Sequence, residues 1–147
     1  MRLLIMCLAF VLGLTLAAPA SAQGFPPGPW RGVWTSSDHQ HEYQGELDFT
    51  PELNGRVQGQ FRWMLVRSPD HAQQAKIGMR GVEYVEGAFN IDTGALTIHG
   101  TRVDDPNHII GVDQYRLIVS PNGQHIAGIT ADDGSWGGRI DLTRFGP

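Results

Sequence analysis

Cysteine is almost absent: one residue, Cys7, in a chain of 147. It falls inside an N-terminal apolar stretch, so beyond it no thiol exists for a disulfide, a cysteine nucleophile or a sulfur-ligated metal. Positive charge is also scarce. Eleven Lys and Arg stand against fifteen Asp and Glu, for a net charge of −4. No basic surplus is left to hold a phosphate backbone, which argues against nucleic acid as a partner. No apolar run reaches the roughly eighteen residues that a stable membrane span needs. Phosphate loops, dinucleotide fingerprints and Gly-x-Ser-x-Gly elbows are missing too, so catalysis has little support.

Glycine, by contrast, is abundant. Nineteen Gly and nine Pro are too many for a helical bundle and too few for a disordered or collagenous chain. The N-terminus reads as an address. Met1-Arg2 is a short basic start, Leu3 to Ala18 is uncharged and largely apolar, and Ala20-Ser21-Ala22 is a small-x-small cleavage site. Residues 1–22 are therefore expected to be a signal peptide that sends the chain to the periplasm or the medium, with no membrane span left after cleavage. Residues 23–29, rich in Pro and Gly, read as an extended leader. Residues 30–147 form the single predicted domain.

Turn signals divide that domain. Asn54-Gly55, Asn122-Gly123 and Asp133-Gly134 suit tight hairpins, and Asp92-Thr93-Gly94 is a three-residue version. Period-two alternation flanks most of them, clearest in Val57, Gly59, Phe61, Trp63 and Leu65. Val82 and Tyr84 lie on the opposite parity to Val85, which suggests a bulge near Tyr84. The count is eight strands. Only Pro69 to Lys76 could form about two turns of helix, with Ser68 as N-cap and Pro69 at its first position. The predicted fold is all-β: an eight-stranded antiparallel up-and-down barrel, with a two-sheet β-sandwich as the alternative.

A β-branched-x-Gly pattern recurs at Val57-x-Gly59, Val85-x-Gly87, Ile98-x-Gly100 and Ile126-x-Gly128. Glycine weakens a strand, but placed once per strand it lets a sheet coil sharply enough to close. Curvature is the favoured explanation; room for a ligand is the other.

Gly32-Val33-Trp34, in the first strand of such a meander, resembles the calycins, the lipocalins and avidins. Together with Asn54-Gly55-Arg56-Val57-Gln58-Gly59-Gln60-Phe61 it looks most like the opening strands of an avidin. The resemblance implies a barrel whose Trp34 closes one end, with Arg139 or Arg144 packed across it. The polar biotin-binding set and spaced tryptophans of avidins are not found, nor is a lipocalin C-terminal helix. The resemblance therefore implies architecture, without biotin or lipid binding.

Trp34, Tyr43, Phe61, Trp63, Tyr84, Tyr115 and Trp136 read as candidate ligand-binding residues, because aromatic walls with a few polar tips are how a barrel mouth holds a small ligand. The alternative is a filled barrel that acts as a cell-envelope interaction module through its longest connections, Arg67–Arg80 and Val103–Val112. Ile109 and Ile110 would then anchor a loop on the barrel or on a partner. Arg62 and Arg102, if inward or at the rim, would suit an anionic ligand. Glu46, Asp48, Glu83 and Glu86 mostly take outward parity and read as a solvated face.

His39 and His41 are the metal candidates. On an extended segment residues i and i+2 point the same way, and with Asp38 or Glu42 they would suit Zn²⁺ or Cu²⁺. A polar loop is the favoured reading, and no cofactor is expected. Asp104-Asp105-Pro106-Asn107-His108, with Asp113 beyond, is an acidic loop that offers oxygen ligands for Ca²⁺, but its spacing is not that of an EF-hand and Pro106 fits an ordinary turn.

Overall fold

The computed structural model describes residues 24–132 and 135–146, without the side chains of Ser135 and Trp136. The expected signal peptide, residues 1–22 with Cys7, and the Asp133-Gly134 dipeptide lie outside the described residues.

Eight strands follow one another in chain order: β1 Pro29–Ser36, β2 Glu42–Pro51, β3 Arg56–Arg67, β4 Arg80–Asn90, β5 Ala95–Asp104, β6 Gln114–Val119, β7 His125–Asp132 and β8 Ser135–Arg144. Each pairs antiparallel with the next, and β1 pairs with β8 from Trp30↔Arg144 to Ser36↔Gly138. The sheet is a closed up-and-down barrel, and the sandwich is not formed. Among the described residues helix is confined to the 3-10 turn Leu53–Gly55 and to α1, His71–Gln74. The helix is one turn, shorter than the sequence suggests. Its cap is Asp70, whose carboxylate accepts from Ala72 N–H at 2.9 Å, while the Ser68 hydroxyl accepts from Asp70 N–H. Among the described residues no helix is long and apolar enough to cross a membrane.

The short 52–55, 91–94 and 120–124 connections lie at one end of the barrel, and the long 68–79 and 105–113 loops lie at the other. The end with the three short connections is plugged. Phe25 packs against Phe49 at 4.8 Å and Phe89 at 5.3 Å, ring centre to centre, and against Trp30 at 6.0 Å. Trp30 is fully buried and sits in register with Arg144. Trp30, not Trp34, therefore closes the barrel, because β1 starts at the plugged end and four residues carry the chain toward the other. Above the plug Leu47, Leu96, Leu117, Ile126 and Leu142 fill the interior.

Three of the four patterned glycines explain the closure. A Cβ on Gly59, Gly87 or Gly128 would overlap the carbonyl oxygen of Asp48, Thr97 or Arg116 on the neighbouring strand. These positions let strands approach more closely than any side chain permits. Gly100 is different, and belongs to the site.

The pairing slips at three places, all toward the long-loop end: at Glu42/Tyr43, at Tyr84/Val85 and at Thr130/Ala131. Bulges re-aim side chains and are common at barrel rims. At the second, Tyr84 pairs with Arg102 and Val85 with Gly100, so the extra residue is Thr101 on β5. The bulge near Tyr84 is thus on the partner strand, and β4 keeps one uninterrupted alternation with Gly81, Glu83 and Val85 inward.

Candidate functional site

That alternation places Glu83 inside the barrel, 1% exposed, and corrects its expected place on a solvated face. A Cβ on Gly100 would overlap Oε1 of Glu83, so the missing side chain on β5 makes room for the carboxylate of β4. Three donors meet it. Tyr115 O–H donates to Oε2 at 2.5 Å, Asp113 N–H to Oε1 at 2.8 Å, and Trp63 Nε1–H to Oε2 at 3.4 Å. Burial outweighs these bonds and pushes the Glu83 carboxyl from 4.5 up to about 7. Tyr115 is held well above its ordinary value by burial and then by the charge of Glu83, so it remains a phenol and a donor.

Above Glu83 the barrel opens into a recess of about 470 Å³. Trp34, Tyr43 and Trp63 form its aromatic wall. Trp34 and Tyr43 meet edge to face at 5.5 Å, and Tyr43 and Trp63 at 6.5 Å. Each polar tip is bonded: Trp34 Nε1–H donates to Thr130 Oγ1 at 2.7 Å and Tyr43 O–H to the Ile109 carbonyl at 2.7 Å. Two glycines seat the indoles, since a Cβ on Gly45 would overlap the Trp63 ring and one on Gly138 the Trp34–Thr130 pair. Ile109 and Ile110, from the 105–113 loop, complete the wall with Gly111. Ile109 is buried, so this apolar pair is anchored onto the barrel. Asp105 holds that loop, its Oδ2 accepting from Ile109 and Ile110 N–H and its Oδ1 from Asn107 N–H. Asp105, read as a calcium ligand, thus caps its own loop.

The lining is acidic. Asp113 and Asp132 join Glu83, with His41 at the rim, and no Lys or Arg is among the described residues that line the recess. Burial, then the Asp132 charge, pushes the Asp113 carboxyl from 3.8 up to about 6. Burial, then the charges of Asp105 and Asp113, raises the Tyr43 phenol.

Of the candidate ligand-binding aromatics, Trp34, Tyr43 and Trp63 line the recess. Phe61 and Tyr115 stand behind it, Phe61 stacked on Trp63 at 4.7 Å and on Tyr115 at 5.1 Å. Tyr84 faces the outside, beneath the Arg102 guanidinium at 3.6 Å. The side chain of Trp136 lies outside the described residues. Arg62 is also on the outer wall, bonded to Asp48 at 2.5 Å and close to Glu46, so neither arginine supplies the interior charge expected for an anion.

His39 lies in a turn with φ 60°, so the extended geometry that would align it with His41 is not formed. Asp38 accepts from the Ser36 hydroxyl and Gln40 N–H, bonds that hold its carboxyl below the ordinary value. Glu42 pairs with Arg67 at 3.0 Å. Among the described residues no group of three or more His, Cys, Asp or Glu is arranged to hold a metal ion.

Sequence reasoning missed Glu83, Thr130 and Asp132 as residues of the recess, and named Asp113 only as an oxygen ligand for calcium. Unbroken alternation through β4 is the available signal for Glu83, since Gly81, Val85, Gly87 and Phe89 share its parity.

No protein-family model matches the chain, and no curated protein shows detectable sequence similarity to it. Solved structures match the fold. A redesigned β-barrel, mFAP1, bound to DFHBI, superposes with a TM-score of 0.57 at 16% identity, over 82% of this chain and 95% of that one. EF1p2_mFAP2b bound to DFHBI gives 0.58 at 16% identity, over 82% and 94%. The redesigned barrel b11L5F_LGL gives 0.53 at 16% identity, over 83% and 93%. At such identities the likeness is one of fold: a closed, eight-stranded, antiparallel barrel.

Proposed function

We propose that the protein is an exported, calycin-like barrel that binds a small ligand in the recess at its long-loop end and catalyses no reaction. The observation that carries this reading is the recess itself: about 470 Å³ above a packed core, with Trp34, Tyr43 and Trp63 on its wall and Glu83 at its base. Volumes of a few hundred Å³, mostly apolar with a few fixed polar groups, are typical of small-molecule sites. Because the wall's polar tips are already bonded within the protein, little reorganisation is needed for binding. Two of the similar barrels are bound to a small molecule, DFHBI, which supports small-ligand binding by a barrel of this fold without specifying a ligand here. A filled-barrel interaction module fits less well, because it requires a mouth without a cavity.

Native mass spectrometry of the purified protein, read with its tryptophan fluorescence, tests the proposal. A retained mass whose removal shifts the emission of Trp34 and Trp63 is expected. A clean apo mass, with no spectral response to any small-molecule library, refutes it. Export is tested separately by N-terminal sequencing of the secreted product, expected to begin at Gln23.

A further inference from the structure

The charge of the recess narrows the ligand. Its base and one side carry Glu83, Asp113 and Asp132, while Trp34, Tyr43 and Trp63 supply the aromatic wall. No Lys or Arg is among its described lining residues, and several basic side chains are engaged elsewhere: Arg62 with Asp48 and Glu46, Arg67 with Glu42, Arg102 over Tyr84, and Lys76 Nζ donating to the His108 carbonyl. A buried carboxylate without a cationic partner is expensive to ionise. Aromatic faces attract cations through their ring quadrupoles. An anionic ligand would meet three carboxylates with no counter-charge, and a neutral one would leave that repulsion in place. Resting on the reading of the recess as a small-ligand site, we propose that its ligand is an organic cation: a protonated amine on a compact, largely apolar or aromatic body. The ammonium sits toward Glu83 and Asp113, and the body lies against the Trp34–Tyr43–Trp63 wall.

Binding is then coupled to ionisation. Glu83 faces Trp63 from β3, Tyr115 from β6 and the Asp113 amide; Tyr43, Asp132 and His41 line the rest of the recess, and Asp105 lies behind it, bonded to the amides of its loop. A bound ammonium stabilises the carboxylate forms of Glu83 and Asp113, so amine binding expels protons from these groups and tightens as pH rises through about 6 to 7.

The test uses three probes on one scaffold, tryptamine, tryptophol and indole-3-propionate, titrated into the purified protein. Binding is read by calorimetry and by the indole N–H resonances of Trp34 and Trp63. Tryptamine is expected to bind about tenfold or more tightly than tryptophol at pH 8, and indole-3-propionate not to bind. That preference should shrink at pH 5.5 and in Glu83→Gln, and tryptamine binding at pH 6.5 should release protons, seen as a buffer-dependent heat. Equal binding of amine and alcohol, or preference for the acid, overturns the cation assignment and leaves the small-ligand reading standing. Zn²⁺ or Ca²⁺ moving the indole resonances while tryptamine does not also overturns it. If neither these probes nor a broad small-molecule library moves the resonances, the ligand site itself fails. Because the pH profile of the unmodified protein is an independent readout, the outcome does not depend on the variant folding.

Discussion

Gly100 and Glu83 share one space: a Cβ on the glycine of β5 would overlap the carboxylate oxygen of β4. Gly100→Ala must therefore displace Glu83 from the Asp113 amide and the Tyr115 phenol, or bend β5 away. Overpacking of this kind costs roughly 1–3 kcal/mol. Gly111→Ala, where nothing lies within 4 Å of the added carbon, should be close to neutral. Urea unfolding of the two variants checks the contrast; equal midpoints would mean that the carboxylate is not confined there.

Stability should fall as pH rises between about 4.5 and 7. In that window the unfolded chain has lost the Glu83 proton while the folded chain, with its carboxyl raised to about 7, still holds it. The unfolded state then binds fewer protons, so the slope of stability with pH is negative, and it levels off above 7. Asp113, raised to about 6, adds a fall between about 3.8 and 6. The Glu83 contribution is at most about 3 kcal/mol, because each tenfold change in a group's proton affinity on folding is worth about 1.4 kcal/mol. Glu83→Gln should remove the part of the fall between pH 6 and 7, measured as urea midpoints across the range. An unchanged profile in the variant would show that Glu83 does not carry that linkage.

Much of the barrel is legible in the sequence because period-two alternation and Asn-Gly turns are local signals. Val57 to Leu65 fixes β3 by itself, and the glycines of β3, β4 and β7 announce tight coiling. The site is less legible because it depends on which of two neighbouring strands carries an extra residue. Val82 and Tyr84 suggest a slip within β4. The slip belongs to Thr101, whose hydroxyl donates to the Tyr84 carbonyl at 3.1 Å, and that one residue decides whether Glu83 or Tyr84 faces inward. Likewise Gly32-Val33-Trp34 carries the expectation of a closed end at Trp34, yet Phe25 and Trp30 take that place. A short motif does not say at which end of its strand the barrel is plugged.

The plug itself is testable. Phe25 is 3% exposed and touches Phe49, Phe89 and Trp30, although it precedes the first strand. Phe25→Ala should cost about 3 kcal/mol through lost burial and the cavity left behind. It should leave the recess intact, because that lies at the opposite end. Thermal melts, with the Trp34 and Trp63 indole resonances as the control, distinguish this from a leader that merely drapes over the barrel, for which the loss would be within about 0.5 kcal/mol.

Asp105 is expected to act locally. Its two oxygens take the amides of Asn107, Ile109 and Ile110, in a loop that also holds His108 at φ 53°. These amides have no other way to turn inward while Ile109 stays buried and its carbonyl accepts the Tyr43 hydroxyl. In Asp105→Ala, water can take over the amides only if the loop lifts. Global stability should then drop by only about 1 kcal/mol, while hydrogen exchange at Ile109 and Ile110 accelerates by roughly tenfold or more, because local opening is governed by local bonds. Asp105→Asn, which keeps one carbonyl oxygen, should fall between the two. The Tyr43 ring, released from the Ile109 carbonyl, should lose its edge contact with Trp34 and widen the recess mouth. Unchanged exchange at Ile109 and Ile110 in the alanine variant would mean that the isoleucine side chains, and not the carboxylate, hold the loop on the barrel.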